Sequence, residues 1–157
     1  MAQASHSIRK ATELDAAVVG DLLFDFNTEF ATPTPSGTEF AARFQHLLGR
    51  QDVLVLIAEE SATAVGFAYL TFRPTPYGDG PLAQLEELYV RPALRGGGIG
   101  SALLVAALTD ASRRGAVEMD INVDEDDVET RRFYERHGFI NVEPGSDYRM
   151  LCYIQEL

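Results

Sequence analysis

Four glycines in five positions, Gly96-Gly97-Gly98-Ile99-Gly100, constrain this chain more than any other feature. They follow an apolar run ending at Val90 and precede Leu103, Leu104, Ala107, Leu108 and Ala111, which recur at helical spacing. Glycine weakens a helix start, so structure alone does not select such a cluster. It does permit a turn whose backbone N–H groups point at an anion beside the positive end of a helix. The functional reading is a phosphate cradle; the plain one is a flexible surface loop. A P-loop is excluded, because no Lys followed by Ser or Thr closes the cluster. A dinucleotide fingerprint fits poorly, although Asp120 stands downstream where its acid belongs. Ser101 replaces its last glycine, five residues separate Val90 from Gly96, and a single strand–helix–strand unit cannot make a doubly wound sheet.

The other elements follow from periodicity. Residues 7–12 open with a short alternating segment, and Thr12 with Asp15 forms a capping box that starts a helix from Glu13 to about Phe24. The cluster Pro33 to Gly37 interrupts. A second helix carries Phe40, Phe44, Leu47 and Leu48 and stops at Gly49. Residues 53–59 and 64–72 are β-branched or aromatic and read as an antiparallel hairpin, and Leu82 to Val90 is a third strong strand closed by Pro92. After the glycine-led helix, Val117, Met119, Ile121 and Val123 alternate with polar residues as a strand. Asp126 to His137 is a further helix, and Tyr148 to Ile154 a last strand. The order β-α-α-β-β-β-α-β-α-β predicts an α/β fold with a mixed, mostly antiparallel central sheet flanked by helices, in a single domain over residues 1–157.

A chain of 157 residues buries roughly 68–70% of its unfolded surface, enough to fold without metal or disulfide, and the one Cys cannot form an internal bridge. The formal net charge of −11 disfavours phosphate backbones and so excludes nucleic acid as a partner. The first residues lack an apolar signal region and no apolar run approaches a membrane span, so the expectation is a cytoplasmic protein without membrane contact.

The stretch from Leu85 to Gly100, with Arg95-x-x-Gly98-x-Gly100 at its core, resembles motif A of the GNAT superfamily of N-acetyltransferases. Arg132-Phe133-Tyr134-Glu135-Arg136-His137-Gly138-Phe139 is similar to the end of that superfamily's motif B. The motifs stand in the family's order with one helix and one strand between them, and the whole element order matches.

The resemblance implies an N-acetyltransferase that passes acetyl from acetyl-CoA directly to a primary amine of a small molecule in a ternary complex. The alternative is a non-catalytic acyl-CoA sensor or interaction module on the same fold. Pyrophosphate would rest on the amides of Arg95, Gly96, Gly97, Gly98, Ile99, Gly100 and Ser101. The family's third strong strand carries a bulge and splays from its neighbour, which would free backbone groups of Leu88, Tyr89 and Val90 for the acetyl carbonyl and pantetheine. The amine must lose a proton before it attacks, so a carboxylate base is needed. Glu86 and Glu87 are the candidates, and only one can face the cleft unless a bulge intervenes. Similarity to the small diamine-type acetyltransferases selects Glu86; the plain reading is that both are solvated strand positions. Tyr134 matches the tyrosine that protonates the departing thiolate, which a phenol of pKa about 10 can do; it also reads as a packing aromatic. Asp127 stands where the family often has Asn near coenzyme A.

An EF-hand reading of Asp120, Asn122 and Asp124 fails, because Glu125 replaces the turn glycine and Arg131 the closing glutamate. His6, His46 and His137 lack ligand spacing, so no metal is inferred. Cys152 is expected to pack in the core of the last strand, which argues against an acetyl-cysteine route. Asp25, Glu29, Glu39 and Asp79 suit a cationic acceptor such as a polyamine or aminoglycoside, although Arg73-Pro74 departs from the diamine enzymes. The family's frequent dimerisation suggests a homodimer.

Overall fold

The computed structural model describes residues 6–157, and its contacts group into two compact units, residues 6–120 and 121–157. The first unit holds β1 (His6–Lys10), a 3-10 turn (Glu13–Asp15), α1 (Ala16–Glu29), α2 (Gly37–Leu47), β2 (Val53–Glu60), β3 (Thr63–Arg73), β4 (Leu82–Val90), a 3-10 turn (Pro92–Leu94), α3 (Ile99–Arg113) and β5 (Glu118–Asp120). The second holds α4 (Val128–Arg136).

The strands form one sheet in the order β1-β2-β3-β4-β5, antiparallel except for the parallel β4–β5 pair. Val53 to Ala58 are buried without a break because both faces of β2 are covered. Val53, Val55 and Ile57 join Phe67 and Tyr89 under Val19, Leu22 and Leu23 of α1 and Phe40 and Phe44 of α2. The alternate residues Leu54, Leu56 and Ala58 point to the opposite face, where α3 packs across β1 to β4. This is the mixed, helix-flanked sheet that the element order implies.

Local chemistry sets the helix ends. Thr12 N–H donates to Asp15 Oδ2 at 2.8 Å, as the capping box requires, but the first turn is 3-10 and the α-helix runs on to Glu29. A second capping box, unremarked in the sequence, starts α2: Ser36 N–H donates to Glu39 Oε2 at 2.8 Å and Glu39 N–H to Ser36 Oγ at 3.2 Å.

Gly20 lets α1 and α2 touch through their backbones. A Cβ there would sit 2.7 Å from Ala41 N and 2.9 Å from Gly37 O. In an open helix Gly→Ala stabilises by up to about 1 kcal/mol. Here the sign reverses: Gly20→Ala is expected to destabilise by about 1–3 kcal/mol, lowering Tm by about 2–4 °C per kcal/mol in thermal unfolding.

Three expectations are corrected. The strand predicted over Val117–Val123 is only Glu118–Asp120, because β4 offers it a ladder only from Leu82 to Gln84. The helix predicted from Asp126 begins at Val128, with Asp127 as its cap. Tyr148 to Ile154 form no strand, and Cys152 is exposed rather than in the core. Alternation says which face a strand would bury, but a strand also needs a partner edge. Within residues 138–157 the backbone bonds are Ser146 N–H to Glu143 O at 3.0 Å and Met150 N–H to Asn141 O at 2.7 Å, which build no ladder.

Candidate active site

The register of β3 on β4 contains the decisive irregularity. Tyr69 pairs with Glu87 and Leu70 with Leu85, so Glu86 is an extra residue with no partner. Such a bulge resets the alternation of side chains. Thr71 Oγ1 donates to Glu86 Oε1, while Glu87 lies opposite Tyr69, and Thr71 and Tyr69 share a face of β3 because they are two residues apart. Both glutamates therefore stand on the α1/α2 face of the sheet, so which way each points no longer separates them and only their surroundings do.

Their environments differ. Glu86 is exposed and accepts the Thr71 hydroxyl. Glu87 is half-buried beside Tyr69, and burial first, then the neighbouring negative charge of Glu86, pushes its carboxyl up to about 7. Burial and the same two carboxylates raise the Tyr69 phenol.

Beyond Gln84, β4 has no β5 partner among the described residues. Arg91 N–H donates to Val65 O at 2.9 Å, on the β3 side. Strand alternation then turns the polar groups of Val90 and Leu88 away from β3, towards the unpaired edge. Arg95 Nε reaches Val90 O there, at 2.8 Å. Tyr89, between them, is buried and stacks on Phe26 with ring centroids 5.1 Å apart.

The chain then turns through Pro92–Leu94 into the glycines. Gly96 has φ +80° and Gly98 φ +87°, left-handed values that glycine adopts without strain, and a Cβ at either would meet nothing within 4 Å. The first helical bond of α3 runs from Ala102 N–H to Gly98 O at 2.9 Å. The amides of Ile99, Gly100 and Ser101 precede it, and no side chain caps this end. An open turn, free first-turn amides and the positive end of a fifteen-residue helix fit a phosphate group.

The Arg95 guanidinium is already engaged. It forks onto Glu29 at 2.5 and 2.7 Å and lies 5.6 Å from the Tyr89 ring centroid. Arg91 Nη1 meets Asp25 Oδ2 at 2.7 Å. Asp25 and Glu29 are thus paired with cations of the chain itself, which lessens the attraction these two acids would offer a polycation. A cleft of about 320 Å³ runs beside the turn, lined by His6, Glu60, Leu94 and Arg95. Another, of about 360 Å³, lies at the far end of the sheet around Arg73 and Asp79 and contains none of the candidate catalytic or cofactor-binding residues.

In the second unit Tyr134 is buried on α4, its ring edge-on to Phe133 at 5.1 Å and to Phe139 at 5.4 Å. Asp127 spends its carboxylate on the α4 terminus, accepting from Thr130 N–H at 3.1 Å. Arg131 reaches Glu125 O at 2.9 Å. Among the described residues no cluster of three His, Cys, Asp or Glu side chains is placed to hold a metal, and no helix is long and apolar enough to cross a membrane.

The profile of the Acetyltransferase (GNAT) family matches residues 20–139, about three-quarters of the chain. The chain belongs to the GNAT family. This GNAT protein is 48% identical to a provisionally named acetyltransferase from Arthrobacter sp. FB24, whose crystal structure superposes with a TM-score of 0.90 over 100% of this chain and 99% of that one. It is 36% identical over 123 residues to glucosamine 6-phosphate N-acetyltransferase 1 of Oryza sativa subsp. japonica, covering 73% of this chain and 72% of the relative. Mycothiol acetyltransferase of Thermobispora bispora is 36% identical over 84 residues, 53% of this chain, which spans only 28% of that protein's length.

The site residues that sequence reasoning passed over are Thr71, which holds Glu86, and Tyr69, which shelters Glu87. No local pattern marks either, because both act across the sheet.

Proposed function

We propose that residues 1–157 act as one acetyltransferase domain that moves acetyl from acetyl-CoA directly to the primary amine of a small molecule. The observation that carries the reading is the bulge at Glu86, which puts two carboxylates on one face of β4 just before the strand edge and the glycine turn. Acetyl-CoA, the donor that the family uses, supplies an activated thioester when bound. The open cradle fits its pyrophosphate: Gly96 to Ser101, with the amide of Arg95, would hold it, and the outward backbone groups of Leu88 and Val90 would hold the pantetheine and polarise the acetyl carbonyl. Tyr89, expected from the sequence to share in this, turns its backbone to β3 and serves as packing instead.

The amine arrives as ammonium, and Glu87 is the group suited to take its proton. A carboxyl near 7 is part ionised at neutral pH and holds the proton better than an ordinary carboxylate. Glu86, which the family resemblance favoured, keeps Glu87 raised by its charge. Tyr134 is proposed as the donor of a proton to the leaving thiolate. Asp127, used as a helix cap, is the weakest of the proposed cofactor contacts. With Asp25 and Glu29 already paired to Arg91 and Arg95, an amine of low charge suits the site better than a polyamine.

The test is product detection by mass spectrometry after incubation with acetyl-CoA and diamines, aminoglycosides, amino acids, amino sugars and short peptides. One class is expected to gain an acetyl group, and Tyr134→Phe to slow that reaction about tenfold or more. Coenzyme A binding without acetylation of any amine would favour the sensor reading.

A further inference from the structure

The glycine turn has almost no packing of its own. Added Cβ atoms at Gly96 and Gly98 would meet nothing, and one at Gly97 only Leu94 O at 3.5 Å. The turn is held at its two ends. Downstream, Ile99, the first residue of α3, is buried. Upstream, Arg95 is fixed by Glu29, by Val90 O and by the face of Tyr89. The same helix holds the chain one step earlier, through Asp25 and Arg91. Asp25 and Glu29 are one helical turn apart on α1, and Arg91 and Arg95 flank the 3-10 turn Pro92–Leu94, so one face of α1 grips both ends of that turn.

We propose that Glu29 is a positioning residue for the donor site: by forking the Arg95 guanidinium it sets where the amides from Gly96 to Ser101 point, and so sets affinity for coenzyme A without touching it. This rests on the proposed reading of the turn as the coenzyme A cradle. Both ion pairs are substantially exposed, and exposed pairs contribute little to global stability. Their effect belongs in the cradle rather than in the melting temperature. It also assigns Arg95 a strut's part, with its charge already matched by Glu29 and not offered to phosphate.

The experiment compares Glu29→Gln, Arg95→Gln and the double variant for coenzyme A affinity by calorimetry, for kcat and KM with acetyl-CoA, and for amide hydrogen exchange across residues 96–101. Asp52→Asn, which frees Arg50 at the far end of the sheet, is the control. Glu29→Gln is expected to weaken coenzyme A binding about tenfold, raise KM in step, leave kcat within about twofold, and speed exchange in the turn. The double variant is expected to bind no worse than the weaker single one, because Glu29 acts only through Arg95. Unchanged or tighter binding by Glu29→Gln would overturn the proposal, as would a further loss in the double variant, which would mean that Glu29 acts on the site other than through Arg95. If the wild type does not bind coenzyme A, the donor reading falls. Exchange then decides the strut separately: faster exchange in Glu29→Gln upholds it, and unchanged exchange overturns it.

Discussion

Glu87→Gln is expected to lower kcat/KM for acetyl transfer about 100-fold or more and to abolish the rise of rate with pH around neutrality. The magnitude is that of a lost general base. The pH dependence follows from the burial of Glu87 and its ionised neighbour, which together put its pKa at about 7. Below that value the carboxyl holds a proton and cannot take another, so wild-type activity should climb through pH 7 and then level. Glu86→Gln removes the neighbouring charge, so its profile should shift to lower pH.

The same shift makes an opposite prediction for stability. Between the ordinary glutamate pKa of about 4.3 and the folded value of about 7, the native state binds more protons than the unfolded chain, so stability falls as pH rises through this window. Glu87→Gln should therefore melt higher than wild type at pH 8 and show less advantage at pH 4.5. An inactive and more stable variant fits a carboxylate kept for chemistry. A variant both inactive and less stable at pH 8 would mark Glu87 as structural.

Gly98→Val is the second large effect. At φ +87° a β-branched residue is strained, and a left-handed conformation costs an ordinary residue roughly 1–2 kcal/mol. Relief would rotate the amides of the first turn of α3, each of which, bonded to a charged phosphate, contributes about 1.5–3 kcal/mol. Losing one or two corresponds to a rise of about tenfold or more in the dissociation constant for coenzyme A, measurable by calorimetry. Gly20→Ala, with its backbone clash between α1 and α2, should unfold more easily yet bind coenzyme A as the wild type does.

Local signals were readable from the chain alone. The β2–β3 hairpin, β4 and the turn into α3 each declare themselves through short-range pattern, and the structure follows them within a residue or two. What depends on distant partners was not readable. Helix α1 runs five residues past Phe24 because Asp25, Phe26 and Glu29 find Arg91, Tyr89 and Arg95. Those ion pairs span 66 residues of sequence. The tail misled for the same reason, since Tyr148, Met150, Cys152 and Ile154 alternate as a strand does but lack a ladder. In the site, Glu86-Glu87 was visible as a pair, but a one-residue bulge decides where both point, and nothing in Leu-Glu-Glu-Leu announces which residue will be extra.

Direct transfer from acetyl-CoA to an amine requires both to be bound at once. Initial rates with acetyl-CoA and the best acceptor varied together test it most directly, read beside the intact mass of the protein after acetyl-CoA alone. Intersecting double-reciprocal lines and an unmodified protein are expected. Parallel lines with an acetyl group on the exposed Cys152, or thiol release that ignores the amine, would contradict it.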